Sequence, residues 1–363
     1  MEPRNTPLYD EHIKNKAMMT PFAGWSMPIH YGSIIGETKH TRSLCSIFDI
    51  CHMGELIIKE DPSNSTLDKI VTVPVVKMKI KRCKYGFLLN EKGGIIDDLI
   101  IYRLAEDEWM IVVNASNAET DALTISSMLS PSAKFEDKSD STAKLDIQGP
   151  NSVLAMEKIA GKKIRDLKYF GFDFFNVLGE KCVISRTGYT GELGYELYIG
   201  ASKASEAWKT ILKNDNVKPA GLGARDILRL EAGLPLHGAD LTPQTTPFEA
   251  GFEKMIDFDK DFTGKEALLK QKEAGVNKKL TGIAAEGRRA PRHNNNILIN
   301  GKITGTVTSG TFSPRLNKGI GMGYIESGFA GEGTGIEIDT GRANIKAKTE
   351  KMPFVKETSL RSV

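Results

Sequence analysis

Two apolar segments joined by a glycine turn constrain the fold of this chain more than any other feature. Residues 85–90 and 95–104 are largely apolar and flank a Glu-Lys-Gly-Gly turn at 91–94. Paired apolar runs around a short glycine turn are typical of an antiparallel β-hairpin. Another apolar run at 109–113 predicts a further strand, so this region is expected to form an antiparallel sheet.

The second strand of this hairpin begins with two adjacent acids. Because side chains alternate between the two faces of a strand, Asp98, Ile100 and Tyr102 are predicted to share one face. Asp97 then lies on the other face with Leu99. A carboxylate beside an aromatic and an aliphatic side chain could form a pocket wall for a flat, partly cationic ligand. The alternative is structural: one acid caps the amides of the turn and the other pairs with a nearby lysine.

The composition is that of an ordinary globular protein. The 363 residues allow two or three domains. Hydrophobic residues make up 40% and charged residues 26% of the chain, which does not fit a disordered protein. The net charge of +3 does not favour a nucleic-acid partner.

The chain shows no signal for membrane, secretion or metal. No apolar run approaches the ~18 residues of a membrane span, and the polar N-terminus predicts neither a signal peptide nor a transit peptide. A cytoplasmic location is therefore expected. The cysteines form no CxxC pair and no metal-ligand spacing with the histidines, which predicts free thiols, a reducing compartment and no metal site; they are Cys45, Cys51, Cys83 and Cys182.

The order of patterns along the chain predicts an α+β fold. Helices and strands are mixed up to about residue 277, and short alternating strands punctuated by Gly and Pro follow, which predicts a C-terminal β-barrel or sandwich. Residues 21–34 contain too much Gly and Pro for regular structure and predict an apolar loop, either packed on a core or lining a pocket. The basic run at 77–84 predicts a half-exposed strand with a lysine face, and polar residues 131–142 predict a loop.

Two glycine-rich segments carry further candidate site residues. In RTGYTGELGYEL (186–197) the glycines predict a tight loop from which Tyr189 projects before the chain enters a strand with Glu196. A carboxylate there could accept two hydrogen bonds from a planar amino-pyrimidine edge; a structural turn with a surface Glu is the alternative. In AGLGARDI (220–227) Arg225 lies in the first turn of a helix, where the dipole does not favour it. This position indicates a ligand contact or, equally, a pair with a buried acid.

No motif for a protein-based nucleophile or redox group is present. There is no GxSxG elbow and no HExxH sequence, and His52 and His237 are interpreted as structural because no nucleophile or acid motif accompanies them. Reactivity is therefore expected to come from a bound cofactor or co-substrate.

Taken together, the sequence resembles the T-protein of the glycine cleavage system, a folate-dependent aminomethyltransferase. The matching stretches run in family order over nearly the whole chain: TPLYDEHI, PFAGWSMPIHY, FDICHMGE, YGFLLNEKGGIIDDLIIYR, VVNASN, QGP, SRTGYTGELGYEL, KPAGLGARDILRLEAGLPLHG, TPFEAGF, FTGKEAL, TSGTFSP and KGIGMGY.

The resemblance implies a three-lobed folate-binding fold with a C-terminal β-barrel domain. Residues 1–50 and 140–245 would form the first lobe. Residues 51–139 and 246–276 would form the second lobe, which carries the Asp98 hairpin, and residues 277–363 would form the barrel.

The resemblance also assigns roles to residues. Asp98 would be the catalytic carboxylate beside the reacting folate nitrogens, and Glu196 would bind the amino-pyrimidine edge of the pterin. The other residues expected to contact folate are Met53, Tyr85, Ile100, Tyr102, Tyr169, Tyr189, Arg225 and Arg361.

The implied reaction transfers the methylene carbon of S-aminomethyldihydrolipoyl H-protein to tetrahydrofolate and releases ammonia. The implied partners are the lipoylated H-protein and tetrahydrofolate, with no metal, and the protein is expected to be a monomer. Two features depart from the family pattern: Cys51 replaces a usual Ser, and the basic run at 77–84 lacks a glycine turn found in many members.

Two other functions share this fold. One is a folate-dependent demethylase that acts on a sulfonium, and the other is a non-enzymatic folate-binding regulator of iron–sulfur assembly. The match at SRTGYTGELGYEL and GGIIDD favours the aminomethyltransferase, and the KGCYxGQE sequence typical of the regulators is absent.

Overall fold

The structure is a computed structural model that describes residues 2–360. Within that part of the chain the helices, numbered in order, are α1 Tyr9–Lys14, α2 Ile34–Ser43, α3 Leu67–Ile70, α4 Ala118–Met128, α5 Ser152–Ala160, α6 Ala204–Leu212, α7 Leu222–Glu231 and α8 Lys265–Ala274. The strands are β1 Arg4–Asn5, β2 Met18–Phe22, β3 Trp25–His30, β4 Cys45–Asp49, β5 Gly54–Lys59, β6 Cys83–Leu89, β7 Ile95–Arg103, β8 Glu108–Val113, β9 Lys134–Asp137, β10 Thr142–Gln148, β11 Phe172–Val177, β12 Glu180–Ser185, β13 Gly194–Gly200, β14 Val217–Pro219, β15 Lys278–Ala285, β16 Asn296–Ile299, β17 Lys302–Ser313, β18 Lys318–Glu326, β19 Gly335–Asp339 and β20 Asn344–Glu350.

A six-stranded sheet in the order β11-β12-β13-β10-β4-β14 forms one wall of the molecule. Its strands pair antiparallel except for β14, which runs parallel to β4. The central strands β10 and β13 pair so that Asp146 lies opposite Glu196. One face of the sheet packs on α5 and α6 around the buried Trp208, so the polar residues of β10 and β13 are available to the other face.

A five-stranded antiparallel sheet in the order β6-β7-β8-β5-β9 forms the facing wall. Its β6–β7 pair confirms the hairpin predicted around residues 91–94. The predicted alternation is also confirmed: Leu99 packs in the core beneath the sheet, whereas Ile100 and Tyr102 lie in a different cluster, with Phe172 and Tyr198 of the six-stranded sheet. The Tyr102 and Phe172 ring centroids are 5.3 Å apart, so the two sheets face each other across this cluster.

The C-terminal strands close into a barrel in the order β15-β18-β17-β16-β19-β20. Its interior is filled by aliphatic side chains such as Ile283, Val307 and Ile338. This confirms the predicted C-terminal β-barrel within an α+β chain. The barrel contacts the rest of the molecule through α7, whose Arg229 donates a hydrogen bond of 2.8 Å to Ser309 on β17.

Residues 21–34 contradict the prediction of an irregular loop. Residues 18–30 form the β2–β3 hairpin, which joins β1 in a three-stranded sheet. The connection is a two-residue turn in which Ala23 and Gly24 both have positive φ, 48° and 81°. Two residues with positive φ fit the tight turn that a twisted hairpin prefers, so the glycine there enables the strand pairing.

The basic run at 77–84 contradicts its prediction over residues 77–82. These residues form turns, bends and an isolated bridge from Arg82 to Gly171, and only Cys83 and Lys84 lie in a strand, β6. The Arg103 guanidinium donates hydrogen bonds of 2.6 Å to the carbonyls of Val76 and Met78. A side chain thus satisfies backbone groups that a neighbouring strand would otherwise satisfy. The predicted loop at 131–142 is wrong as well, because β9 within it pairs with β5.

Candidate functional site

Asp98 lies on β7 where the five-stranded sheet faces the six-stranded sheet. Its Oδ2 accepts a hydrogen bond of 2.9 Å from the Tyr85 hydroxyl, and its Oδ1 accepts one of 2.9 Å from Asn114 Nδ2. Burial, followed by the charge of the adjacent Asp97, raises the pKa of Asp98 to about 7. A carboxyl group that titrates near neutral pH can both accept and donate a proton during a reaction.

The neighbouring Asp97 is held on the opposite face of β7. Its oxygens accept hydrogen bonds from the backbone N–H of Asn114 at 2.9 Å and from Asn114 Nδ2 at 2.8 Å. His237 Nδ1 lies 3.6 Å from Asp97 Oδ1. Asn114 therefore bridges the two adjacent aspartates.

Glu196, on β13, is the second carboxylate of the site, and it is buried. Its Oε2 accepts hydrogen bonds from Thr187 at 2.7 Å, Tyr198 at 3.2 Å and Tyr102 at 3.4 Å. Lys144 Nζ lies 3.6 Å from its Oε1. Burial acts to raise the pKa of Glu196, but the Lys144 charge and then the Thr187 hydroxyl outweigh it, so the pKa is lowered below its ordinary value. Glu196 therefore stays ionised at neutral pH.

Arg225 links the site to α7. Its guanidinium forms an ion pair of 2.5 Å with Asp146 on β10 and lies 4.9 Å from the centroid of the Tyr189 ring. Gln148 Nε2 donates a second hydrogen bond of 2.5 Å to Asp146, and the Tyr189 hydroxyl donates one to the Pro235 carbonyl. Arg225 thus pairs with a buried acid, which was one of the two interpretations of its position in the helix.

The structure brings most of the sequence-predicted residues together. Ile100 belongs to the apolar cluster between the sheets, and Met53 places its Sδ 3.6 Å from Lys144 Nζ. Tyr169 is 42% exposed, with its ring centroid 4.9 Å from that of Phe170. Arg361 lies outside the described residues.

Several residues of the site had no place in the sequence prediction. Lys144, Asp146 and Gln148 share one face of β10, and charged residues at alternate positions of an otherwise apolar strand were the signal available. Asn114 directly follows the apolar run of β8. His237 was interpreted as structural for want of a nearby acid motif, yet Asp97 lies beside it in space.

The site therefore has two parts. One is a carboxyl group that can exchange a proton, and the other is a fixed group of charged side chains. Lys144 and Arg225 are the cations, and Glu196 and Asp146 are the anions. Among residues 2–360, no group of three or more His, Cys, Asp or Glu side chains is arranged to hold a metal ion. These features define a class: an α+β protein with unlike carboxyl groups between two facing sheets and an appended barrel.

Comparison with known proteins identifies the family within this class. A profile described as "GCVT N-terminal domain" matches residues 8–260, and one described as "Glycine cleavage T-protein C-terminal barrel domain" matches residues 278–356. The chain belongs to the glycine cleavage T-protein family.

Individual relatives agree over the full length. The aminomethyltransferase of Halothermothrix orenii is 43% identical over 356 residues, which cover 97% of this chain and 100% of that protein. That of Thermosipho melanesiensis is 43% identical over 354 residues, 96% of each chain. The crystal structure of glycine cleavage system aminomethyltransferase T from Bartonella henselae superposes with a TM-score of 0.92 at 33% identity and covers 98% of this chain and 99% of that one.

None of the helices in residues 2–360 is long and apolar enough to span a membrane.

Proposed function

We propose that this chain is the aminomethyltransferase of the glycine cleavage system. It transfers the methylene carbon of S-aminomethyldihydrolipoyl H-protein to tetrahydrofolate and releases ammonia. Membership of the T-protein family and the full-length similarity to aminomethyltransferases support this activity. The structural observation that carries the proposal is the pair of unlike carboxyl groups on the two facing sheets, Asp98 with a pKa near 7 and Glu196 with a lowered pKa.

The reaction exchanges two bonds of one carbon. The methylene carbon gives up its bonds to the lipoyl sulfur and to the amino nitrogen and forms bonds to N5 and N10 of the folate. The two protons lost from those folate nitrogens end on the thiol and on ammonia, so no oxidant and no net proton is needed.

Asp98 is proposed as the group that takes part in these proton transfers. Its carboxylate accepts a proton from a folate nitrogen and stabilises the iminium-like carbon by its charge. The Tyr85 hydroxyl and the Asn114 amide hold it in one orientation through two hydrogen bonds of 2.9 Å. Holding folate and the lipoyl carbon together supplies the remaining acceleration.

Glu196 is proposed to bind the amino-pyrimidine edge of the pterin. Three hydroxyl groups occupy its Oε2, whereas Lys144 Nζ stands 3.6 Å from its Oε1. That distance exceeds a normal hydrogen bond, which leaves Oε1 available to the donors of an amino-pyrimidine. The remaining proposed folate contacts are Met53, Tyr85, Ile100, Tyr102, Tyr169, Tyr189, Arg225 and Arg361.

The lobe boundaries, the partners and the location are proposed with the function. The first lobe comprises residues 1–50 and 140–245, the second 51–139 and 246–276, and the third 277–363. The protein acts as a cytoplasmic monomer that receives its substrate from lipoylated H-protein.

A reconstitution tests the function. Purified protein is mixed with tetrahydrofolate and aminomethylated H-protein, and methylenetetrahydrofolate and ammonia are measured. The proposal predicts the two products in equal amounts. Folate binding without turnover would contradict the proposal and favour a non-enzymatic folate-binding protein, and turnover of a methylated sulfonium in place of H-protein would identify a demethylase.

A further inference from the structure

We propose that the C-terminal tail, residues 351–360, positions the glycine-rich loop of the site, and that Glu192 is the positioning residue through which it acts. The glycine-rich loop comprises residues 186–193, which join β12 to β13. The inference rests on the proposed function, because Tyr189 in this loop and Glu196 shortly after it are proposed folate contacts. It adds the end of the chain, which follows the barrel, to a site between the two facing sheets.

The glycine-rich loop supports both of these proposed contacts. Its Thr187 hydroxyl donates a hydrogen bond of 2.7 Å to Glu196 Oε2, and the centroid of its Tyr189 ring lies 4.9 Å from Arg225 Cζ. A loop between two strands has no continuous ladder of its own, so side chains must hold much of its backbone. A shift of this loop would therefore move Tyr189 and take a donor from Glu196.

Buried charges hold the loop on one side. The Arg42 guanidinium on α2 donates hydrogen bonds to the Thr190 carbonyl at 2.7 Å and to Glu192 Oε1 at 2.9 Å. It also pairs with Glu231, the last residue of α7, at 2.8 Å. The side chains of Arg42, Glu192 and Glu231 are 6%, 2% and 0% exposed. One oxygen of Glu192 is therefore fixed by a cation that links two helices.

The C-terminal tail holds the other oxygen of Glu192. The backbone N–H and the hydroxyl of Ser359 donate hydrogen bonds to Glu192 Oε2 at 2.8 and 2.5 Å. The Ser359 hydroxyl oxygen in turn accepts a hydrogen bond of 3.0 Å from the backbone N–H of Leu193. Hydrogen bonds to a carboxylate are stronger than those between neutral groups. Three hydrogen bonds thus connect one residue of the tail to two residues of the loop.

Two further contacts align the tail with the loop. Before Ser359, the Val355 N–H donates a hydrogen bond of 3.0 Å to the Glu231 carbonyl. After Ser359, the guanidinium of Arg186, the first residue of the loop, donates one of 3.2 Å to the Leu360 carbonyl. Ser359 therefore lies between two attached points of the tail, which fixes its position against the loop.

Ser359→Ala is the substitution that removes this attachment most selectively. It deletes the hydroxyl that donates to Glu192 and accepts from Leu193, but it keeps the backbone N–H of residue 359. The Leu193 N–H then loses its acceptor, and Glu192 loses one of its donors. We expect the loop to open more often as a result, because an unsatisfied polar group favours conformations in which water can reach it.

Hydrogen exchange by mass spectrometry and tetrahydrofolate affinity by calorimetry are measured on the full-length protein. In Ser359→Ala the amides of the glycine-rich loop should exchange faster than in the wild type, since local opening controls their exchange. Tetrahydrofolate should bind about 3–10-fold more weakly, as expected for the loss of one or two hydrogen bonds. Turnover at saturating folate should change less, because Asp98 keeps its own hydrogen bonds.

Two matched variants of the tail serve as controls. Ser359→Thr keeps a hydroxyl at the same position and should restore the loop exchange and the folate affinity of the wild type. Thr358→Ala removes the neighbouring hydroxyl without removing any of the three hydrogen bonds between Ser359 and the loop, and it should change neither quantity.

Each other result contradicts the inference. Unchanged loop exchange in Ser359→Ala would mean that the tail does not hold the loop. Faster exchange with wild-type folate affinity would mean that the tail holds the loop but does not position it for folate. Equal weakening in Ser359→Ala and Thr358→Ala would indicate a general loss of stability.

The exchange measurement separates this inference from the proposed function. If the wild type does not bind tetrahydrofolate, yet Ser359→Ala speeds the exchange of the loop and Ser359→Thr restores it, the tail positions the loop and the proposed function is wrong. If the wild type binds tetrahydrofolate and turns over, yet Ser359→Ala matches it in exchange and affinity, the proposed function holds and the inference is wrong.

Discussion

The Asp98 region of the five-stranded sheet and the Glu196 region of the six-stranded sheet each hold a carboxyl group, yet the pKa values of the two groups are shifted in opposite directions. Asp98 is surrounded by neutral donors and other acids, and its pKa rises to about 7. Glu196 faces Lys144, and its pKa falls. The sign of the nearest charge, more than burial, separates a group that exchanges protons from one that stays ionised to hold a ligand.

The most direct test of this comparison is a substitution of Asp98, for which we expect the largest effect on turnover. Asp98→Asn removes the proton acceptor while keeping the shape, and we expect turnover to fall about 10²–10⁴-fold. Folate affinity, measured by equilibrium fluorescence or calorimetry, should change by less than about 3-fold, because the proposed binding edge is on Glu196.

The matched control is its neighbour on the other face of β7. Asp97→Asn should keep more activity than Asp98→Asn and should mainly destabilise the fold, by about 1–3 kcal/mol, since it replaces the acceptor of two Asn114 donors. Greater loss of turnover in Asp97→Asn than in Asp98→Asn would show that the two faces have the opposite roles.

Glu196→Gln should give the next largest effect, and this effect should be on folate affinity rather than on turnover. The amide keeps one acceptor but loses the charge, so folate should bind about 10–100-fold more weakly, which is roughly 1.5–3 kcal/mol, while turnover at saturating folate changes less. Stability should also fall, because Lys144 is left buried at 1% exposure without its counter-ion.

The control for this variant is Asp173→Asn on β11. Asp173 pairs with Lys81 and Lys163, both of which are exposed, and its loss should leave folate binding unchanged. Equal weakening in both variants would mean that Glu196 acts only through general stability.

Tyr85→Phe should have the smallest effect. It removes one of the two hydrogen bonds to Asp98, and loss of one neutral donor costs about 0.5–1.5 kcal/mol. Turnover should therefore fall about 2–10-fold, and the pKa seen in the activity profile should rise, because this hydrogen bond lowers the pKa of Asp98. A fall in that pKa would contradict the assigned hydrogen bond.

The sequence predicted those parts of the fold that local patterns control. The 85–104 hairpin and the barrel after residue 277 follow from alternation and turn residues. The β2–β3 hairpin was missed because its Gly and Pro residues were taken as breaks, although Ala23 and Gly24 form the turn itself. The segment 77–82 was missed because Arg103, more than twenty residues away in the chain, donates hydrogen bonds to the carbonyls of Val76 and Met78.

The site was predicted less completely than the fold, for a physical reason. Asp98 and Glu196 each lie in a distinctive local sequence, so their candidate roles could be inferred. Groups that shift their pKa values come from other elements: Lys144 reaches Glu196 because β10 pairs with β13, and Asn114, directly after β8, donates a hydrogen bond to Asp98 on the neighbouring β7. Such pairings depend on strand register and helix packing, which residue spacing does not encode.

The pH dependence of single-turnover methylene transfer tests the central claim most directly. Asp98 must be ionised to accept a proton, and its pKa is about 7, so the wild-type rate should fall as pH decreases through 7, with the slope of one proton. The Glu196 pKa is lowered, so the stability contributed by this ionised group is present at neutral pH and is lost only at much lower pH, through its folded-state pKa. Asp98→Asn should be slow and independent of pH across this range. An Asp98→Asn enzyme whose rate still falls as pH decreases through 7 would contradict the account, because another group would then be accepting the proton.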